Sequence, residues 1–250
     1  MPKYFARADS IGDKSVLITG ENATHLIHSL RARPGESVIV CDGAGTDYHC
    51  RISEISARDG RVVLSILQTA PADTEPETRI TLYQALSGKM EIVIQKCVEM
   101  GVWEIIPVMT DYTATVWSEG KHRRYEKITE AAAKQSMRGI IPRVAPVLGL
   151  QDALADSTRL ALALAAYENE KKLDLKTFLR AGKAAVRPKS IGVFVGPEGG
   201  FSPREAALLQ ATDIATVSLG KRILRTETAG LAVLTAIMYE FDELGVDGNG

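Results

Sequence analysis

The chain has 250 residues, with 31 Asp and Glu against 30 Lys and Arg, and 45% of it is apolar. That length suits one large domain or two smaller ones with packed cores, and the near-neutral balance excludes a global pull toward nucleic acid or membrane, so an RNA-binding surface would have to be a local basic patch. Three scattered cysteines, Cys41, Cys50 and Cys97, exclude a disulfide framework and a paired-cysteine zinc site; with no membrane-length apolar stretch and no apolar leader, the expectation is a soluble, reduced, cytoplasmic protein.

Residues 1–70 read as a small β-rich unit. Residues 16–19 and 37–41 are short apolar strands, Asp42-Gly43-Ala44-Gly45 is a turn, 49–55 alternate in polarity like a half-exposed strand, and 61–67 supply another. The Gly43 and Gly45 pair is followed by no helix, so it reads as a hairpin turn and not a dinucleotide fingerprint. Residues 22–31 form a helix with His25 and His28 three apart, but no acidic or Cys partner completes a metal set. Two prolines and several acids make residues 71–78 a linker to a second domain over 79–245.

From Ile80 strands and helices alternate. Residues 80–86 are a strand; Met90, Val93, Ile94, Cys97 and Val98 share a helical face that Gly101 ends; 102–109 return as a strand. This is a βαβ unit, hence a parallel sheet, with Lys89 at the strand's carboxyl end. The helix over 121–138 is the most basic stretch, and 159–166 form a buried strand ending in Tyr167-Glu168, followed by a helix over 173–181. The strand at 191–195 empties into Gly196-Pro197-Glu198-Gly199-Gly200, after which Ser202, Pro203 and Glu205 have the spacing of a capping box. Residues 215–219 repeat the theme, leading through 220–225 into a helix opened by Thr226, Glu227 and Thr228. Two such loops would face one pocket beyond the strand ends, suited to an anion, although the P-loop pattern is absent.

The segments GPEGGFSPRE (196–205) and LGKRILRTETA (219–229) resemble the two signatures of the SPOUT class of RNA methyltransferases, and within it the RsmE family, the 16S ribosomal RNA uridine N3-methyltransferases. SGKMEIVIQKCVEMGV (87–102) and EAAAKQSMRGIIPRV (130–144) resemble further landmarks, with Met137 where a glycine is common. The resemblance implies an α/β fold: a trefoil-knotted parallel sheet with helices on both faces, preceded by a PUA-like β-barrel that docks RNA. It also implies S-adenosylmethionine (SAM) as cofactor, 16S rRNA or the small ribosomal subunit as partner, no metal, and a homodimer, for which Ala229, Gly230, Ala232 and Ala236 permit close helix packing.

On that resemblance Gly196, Pro197, Glu198, Gly199, Gly200 and Gly220 approach the cofactor, Tyr167 flanks it, Leu219, Ile223 and Leu224 seat the adenine, and Thr226 completes the set. Arg225 stabilises charge developing on the base, and Glu198 or Glu227 orients or deprotonates it. Arg7, Arg31 and Arg33 on the first unit, with Lys89, Arg123, Arg124 and Arg138 on the second, are the candidate RNA contacts. Two other readings compete: a related SPOUT enzyme methylating a ribose 2′-hydroxyl or another base, and a non-catalytic RNA-binding assembly factor.

Overall fold

A computed structural model describes residues 1–181 and 186–245. The chain divides into two compact units, one of Met1–Glu75 with Ala133–Ile141, the other of Pro76–Ala132 and the chain from Pro142 onward.

The first unit is built on a five-stranded sheet. Its strands are β1 (Lys3–Phe5), β2 (Ser15–Ile18), β3 (Ser37–Cys41), β4 (Thr46–Ser56) and β5 (Arg61–Pro71), ordered β1-β3-β4-β5-β2, with only β1 and β3 parallel. Alternation turns Val38 and Val40 of β3 and Val62 and Leu64 of β5 inward onto Tyr4, Leu26 and Ile52. The expected helix over 22–31 starts at Gly20: α1 (Gly20–Thr24) passes into a π-helical turn, His25–Ser29. His25 is engaged through Nδ1 with the Tyr4 hydroxyl at 2.8 Å. The 42–45 turn forms as expected, since the Asp42 carboxylate accepts from the backbone of Ala44 and Thr46 and both glycines have positive φ.

Sequence periodicity did not reveal that residues 133–141 belong to this unit. Gly139 accepts from the backbone of Gly45 and from the Cys41 thiol, Lys3 donates to the carbonyl of Met137, and the Glu75 carboxylate takes the backbone N–H groups of Gly139 and Ile140. To make that turn Met137 adopts φ +61°, a left-handed conformation that glycine takes without strain.

The second unit is a seven-stranded, all-parallel sheet. It contains β6 (Arg79–Ala85), α2 (Met90–Glu99), β7 (Glu104–Met109), α3 (Glu119–Gln135, whose last turn lies in the first unit), β8 (Arg143–Val144), β9 (Leu148–Gly149) and α4 (Leu150–Ser157). Then follow β10 (Leu162–Ala166), α5 (Leu175–Leu179), β11 (Ser190–Val195), α6 (Pro203–Gln210), β12 (Ala215–Val217) and α7 (Thr226–Glu240). The strand order is β12-β10-β11-β6-β7-β8, with β9 also on β7. The central strands β6 and β11 are buried on both faces, as near-continuous apolar runs require. One face packs Tyr83 and Phe194, stacked 4.3 Å apart, against residues of α4 and α6; on the other, Leu82 and Gln84 lie under Gly230 of α7. Sequence reading passed over α4, although Leu150, Ala153, Leu154 and Ser157 are buried at helical spacing.

Candidate functional site

Because every strand of the second sheet points the same way, the loops after β6, β10, β11 and β12 gather at one edge. There they enclose a cavity of about 570 Å³, within the range of small-molecule sites.

The first wall is the loop after β11. It turns through a Gly200 N–H to Pro197 carbonyl bond with Gly200 at φ +71°, then enters α6 through the capping box between Ser202 and Glu205. A Cβ on Gly196 would stand 3.2 Å from the backbone of Gly200, and one on Gly200, at positive φ, would displace the Glu168 carboxylate, so glycine closes the loop here with least strain. Its far end is braced: Glu205 accepts from the backbone of Ser202 and of Asp111, while Asp111 accepts from the Ser202 hydroxyl and the Arg204 guanidinium. These hydrogen bonds, Arg204 first and Ser202 next, hold the Asp111 carboxyl below the usual range.

The second wall is the segment after β12. Gly220 takes φ +106° with its N–H on the Ser218 hydroxyl, and Arg225 stands in extended conformation as the residue before α7. The third is the end of β10, where the N–H of Tyr167 bonds the Val217 carbonyl. The walls are joined at the floor: the Thr226 hydroxyl donates to the Gly196 carbonyl at 2.6 Å and accepts from the Gln84 amide at 2.8 Å.

The cavity brings together all the residues expected around the cofactor: Tyr167; Gly196, Pro197, Glu198, Gly199 and Gly200; Leu219, Gly220, Ile223, Leu224 and Thr226. Arg225 and Glu227 line it too, as does Lys89 from the start of α2. Ile223, expected in an apolar seat, lines the cavity but is 86% exposed. Lys221, Arg222 and Glu168 also line the cavity. Among the described residues no salt bridge engages Lys89, Lys221, Arg222 or Arg225. Gln84 was missed, though a glutamine inside an apolar strand was a legible signal.

The candidate RNA contacts divide. Arg7, Arg31 and Arg33 are exposed on the first unit, Arg7 loosely paired with Asp9 at 3.5 Å. Arg123 is exposed on α3, and Arg124 is exposed but paired with Glu91 at 2.7 Å. Arg138 requires a correction. Its side chain is 3% exposed and its guanidinium grips the Glu75 carboxylate inside the first unit, so it presents no charge at a surface. Among the described residues no group of three His, Cys, Asp or Glu side chains is placed to hold a metal, and no helix is long and apolar enough to cross a membrane.

Two family models match the chain: an RNA methyltransferase domain over residues 74–238 and an RNA methyltransferase PUA domain over 18–65. The ribosomal RNA small subunit methyltransferase E of Bacillus subtilis is 30% identical, with 92% of each chain covered. Its namesake from Synechocystis is 30% identical over 92% of this chain and 74% of that protein. A crystal structure of ribosomal RNA small subunit methyltransferase E from Neisseria gonorrhoeae bound to S-adenosyl methionine superposes with TM-score 0.81 at 30% identity, covering 96% of this chain and 98% of that one.

Proposed function

Since the chain belongs to the RNA methyltransferase family whose domain spans residues 74–238, we propose that it transfers a methyl group from SAM to N3 of a specific uridine in 16S rRNA of the small ribosomal subunit. The observation that carries this reading is the convergence of the glycine loop 196–200, the segment 218–225 and the Tyr167 strand end on one cavity of small-molecule size. The cavity fits SAM: glycines leave backbone groups open to close approach, Leu219 and Leu224 offer apolar surface to a purine, and the carboxylates of Glu168 and Glu198 line it as acceptors for hydroxyl or ammonium groups. When bound there, SAM supplies a methyl carbon on a sulfonium, open to in-line attack.

The residues' task is then to prepare the acceptor. Uracil N3 becomes a good nucleophile on losing its proton, which leaves negative charge on the flanking oxygens. Arg225, which has no salt bridge among the described residues and lines the cavity beside the N-terminus of α7, stabilises that charge with the help of the helix dipole. Glu198 on the glycine loop or Glu227 at the start of α7, both lining the cavity, receives the proton. Arg7, Arg31 and Arg33 on the first unit, and Lys89, Arg123 and Arg124 on the second, neutralise RNA phosphates without reading sequence.

The C-terminal knot is part of this reading. Thr226 reaches Gly196, at the end of β11, although β10 stands between β12 and β11 in the sheet, so the segment after β12 crosses the end of β10. A homodimer is a further part: Ile223 and Tyr239, 86% and 73% exposed, leave apolar surface on and beside α7 for a second copy to cover. The cytoplasm is where such a substrate is found.

The test is direct. Purified protein is incubated with SAM and small subunits lacking the modification, and the rRNA nucleosides are resolved by mass spectrometry. Formation of 3-methyluridine supports the proposal; methylation only at a ribose or another base, or SAM-independent binding without transfer, rejects it.

A further inference from the structure

We infer that Gln84 is a positioning residue for this methyl transfer, acting through Thr226 to set the glycine loop against the helix start that carries Arg225 and Glu227; the inference rests on the function proposed above. Gln84 is wholly buried in β6, and its register partner in β11 is Val195, the residue before Gly196. Its amide donates to Thr226 Oγ1 at 2.8 Å and to the Ala85 carbonyl at 3.3 Å. A threonine hydroxyl has a single proton. With Gln84 occupying a lone pair, that proton is left for the Gly196 carbonyl oxygen, 2.6 Å from Thr226 Oγ1. The reverse amide orientation would set Oε1 against Thr226 Oγ1, whose proton is already given, and against a carbonyl oxygen.

Stability alone does not account for a glutamine here. Its Oε1 is buried without a hydrogen-bond partner among the described residues, a condition that costs free energy and that a leucine would avoid. The same oxygen lies 3.2 Å from where a Cβ of Gly230 would stand, so α7 also carries a glycine in mid-helix at this contact, against helical propensity. Two locally unfavourable choices thus meet at one point, and what they secure is a fixed spacing between the cofactor loop and Arg225.

The experiment compares Gln84→Leu, Thr226→Val, Thr226→Ser and the Gln84→Leu/Thr226→Val double variant in full-length protein. It measures single-turnover methylation of unmodified small subunits at saturating SAM, SAM affinity by calorimetry, and thermal midpoint. If Gln84 positions the loops, Gln84→Leu slows transfer by about 10- to 100-fold, more than it weakens SAM binding and without a matching loss of thermal midpoint. Thr226→Val reproduces the defect, Thr226→Ser retains at least tenfold more activity than Thr226→Val, and the double variant is no slower than the slower single one. A wild-type rate in Gln84→Leu, a rate loss equal to the loss of folded protein, or additive defects would overturn the inference while leaving the proposed function intact. Absence of transfer by the unsubstituted protein would overturn both. The Thr226 pair probes the same hydrogen bond from the other side, so a Gln84→Leu variant that failed to fold would not remove the decision.

Discussion

Thr226 and Gly196 stand thirty residues apart in the chain, and a 2.6 Å hydrogen bond joins them. The carbonyl belongs to the first residue after β11 and the hydroxyl to the first residue of α7, so one bond fixes the separation of the two walls that face the cavity. The functional expectations follow from how the side chains hang from this junction.

Arg225 precedes Thr226 and lines the cavity without a salt bridge among the described residues. Arg225→Ala is expected to lower kcat by at least about 10²-fold, as for loss of a donor aimed at developing charge, while SAM affinity stays within about tenfold. Calorimetry paired with single-turnover kinetics checks this; retained turnover rejects the role.

Gly200 holds φ +71° with Glu168 crowding the place of a side chain. Gly200→Ala puts strain of about 1 kcal/mol into the loop and displaces the Glu168 carboxylate, so SAM affinity falls roughly tenfold. Combining it with Glu168→Ala removes the collision but also an acceptor at the cavity, so calorimetry is expected to show no recovery of SAM affinity in the double variant.

Met137 and Gly139 predict opposite signs within one turn. A Cβ on Gly139 would fall 2.0 Å from that of Ala72, so Gly139→Ala destabilises the protein by about 1–3 kcal/mol, as overpacking does. Met137→Gly relieves the left-handed strain at φ +61° and raises the thermal midpoint slightly, the gain reduced by the greater freedom of glycine in the unfolded chain. Urea melts of the two variants test both.

Glu243 follows α7 and accepts from the backbone of Glu77 and Thr78 and from Arg187. Burial pushes its carboxyl up, but these hydrogen bonds together prevail and hold it below the usual 4.5. A depressed folded value means the stabilisation is complete above the unfolded value and drains away as pH falls through the folded one. The difference in stability between wild type and Glu243→Gln is therefore expected to be constant from neutral pH to about 5 and to shrink below about 4.5. A difference that grows on acidification refutes the assignment.

Local chemistry was legible in the sequence. The capping box of Ser202 and Glu205, the Asp42 turn and the buried strand at 191–195 each depend on a few neighbouring residues, and all three form. The helix α4 escaped because the residue before it, Gly149, has no side chain to cap it, and β8 and β9 because two residues are too few for a pattern. The extent of β5 was underestimated because its last residues, through Pro71, are mostly exposed and carry no apolar alternation.

By itself, then, the sequence determined the strand, loop and helix-start signals and the long signature segments, since their physics is written in backbone preferences over a span of a few residues. Tertiary structure alone decided that Arg138 turns inward to Glu75, that residues 133–141 join the first unit, and that Gln84 meets Thr226 beneath the cavity. Those outcomes depend on which distant groups are left to satisfy a buried charge, a turning backbone or a single hydroxyl proton, and only the folded chain brings such groups within reach of one another.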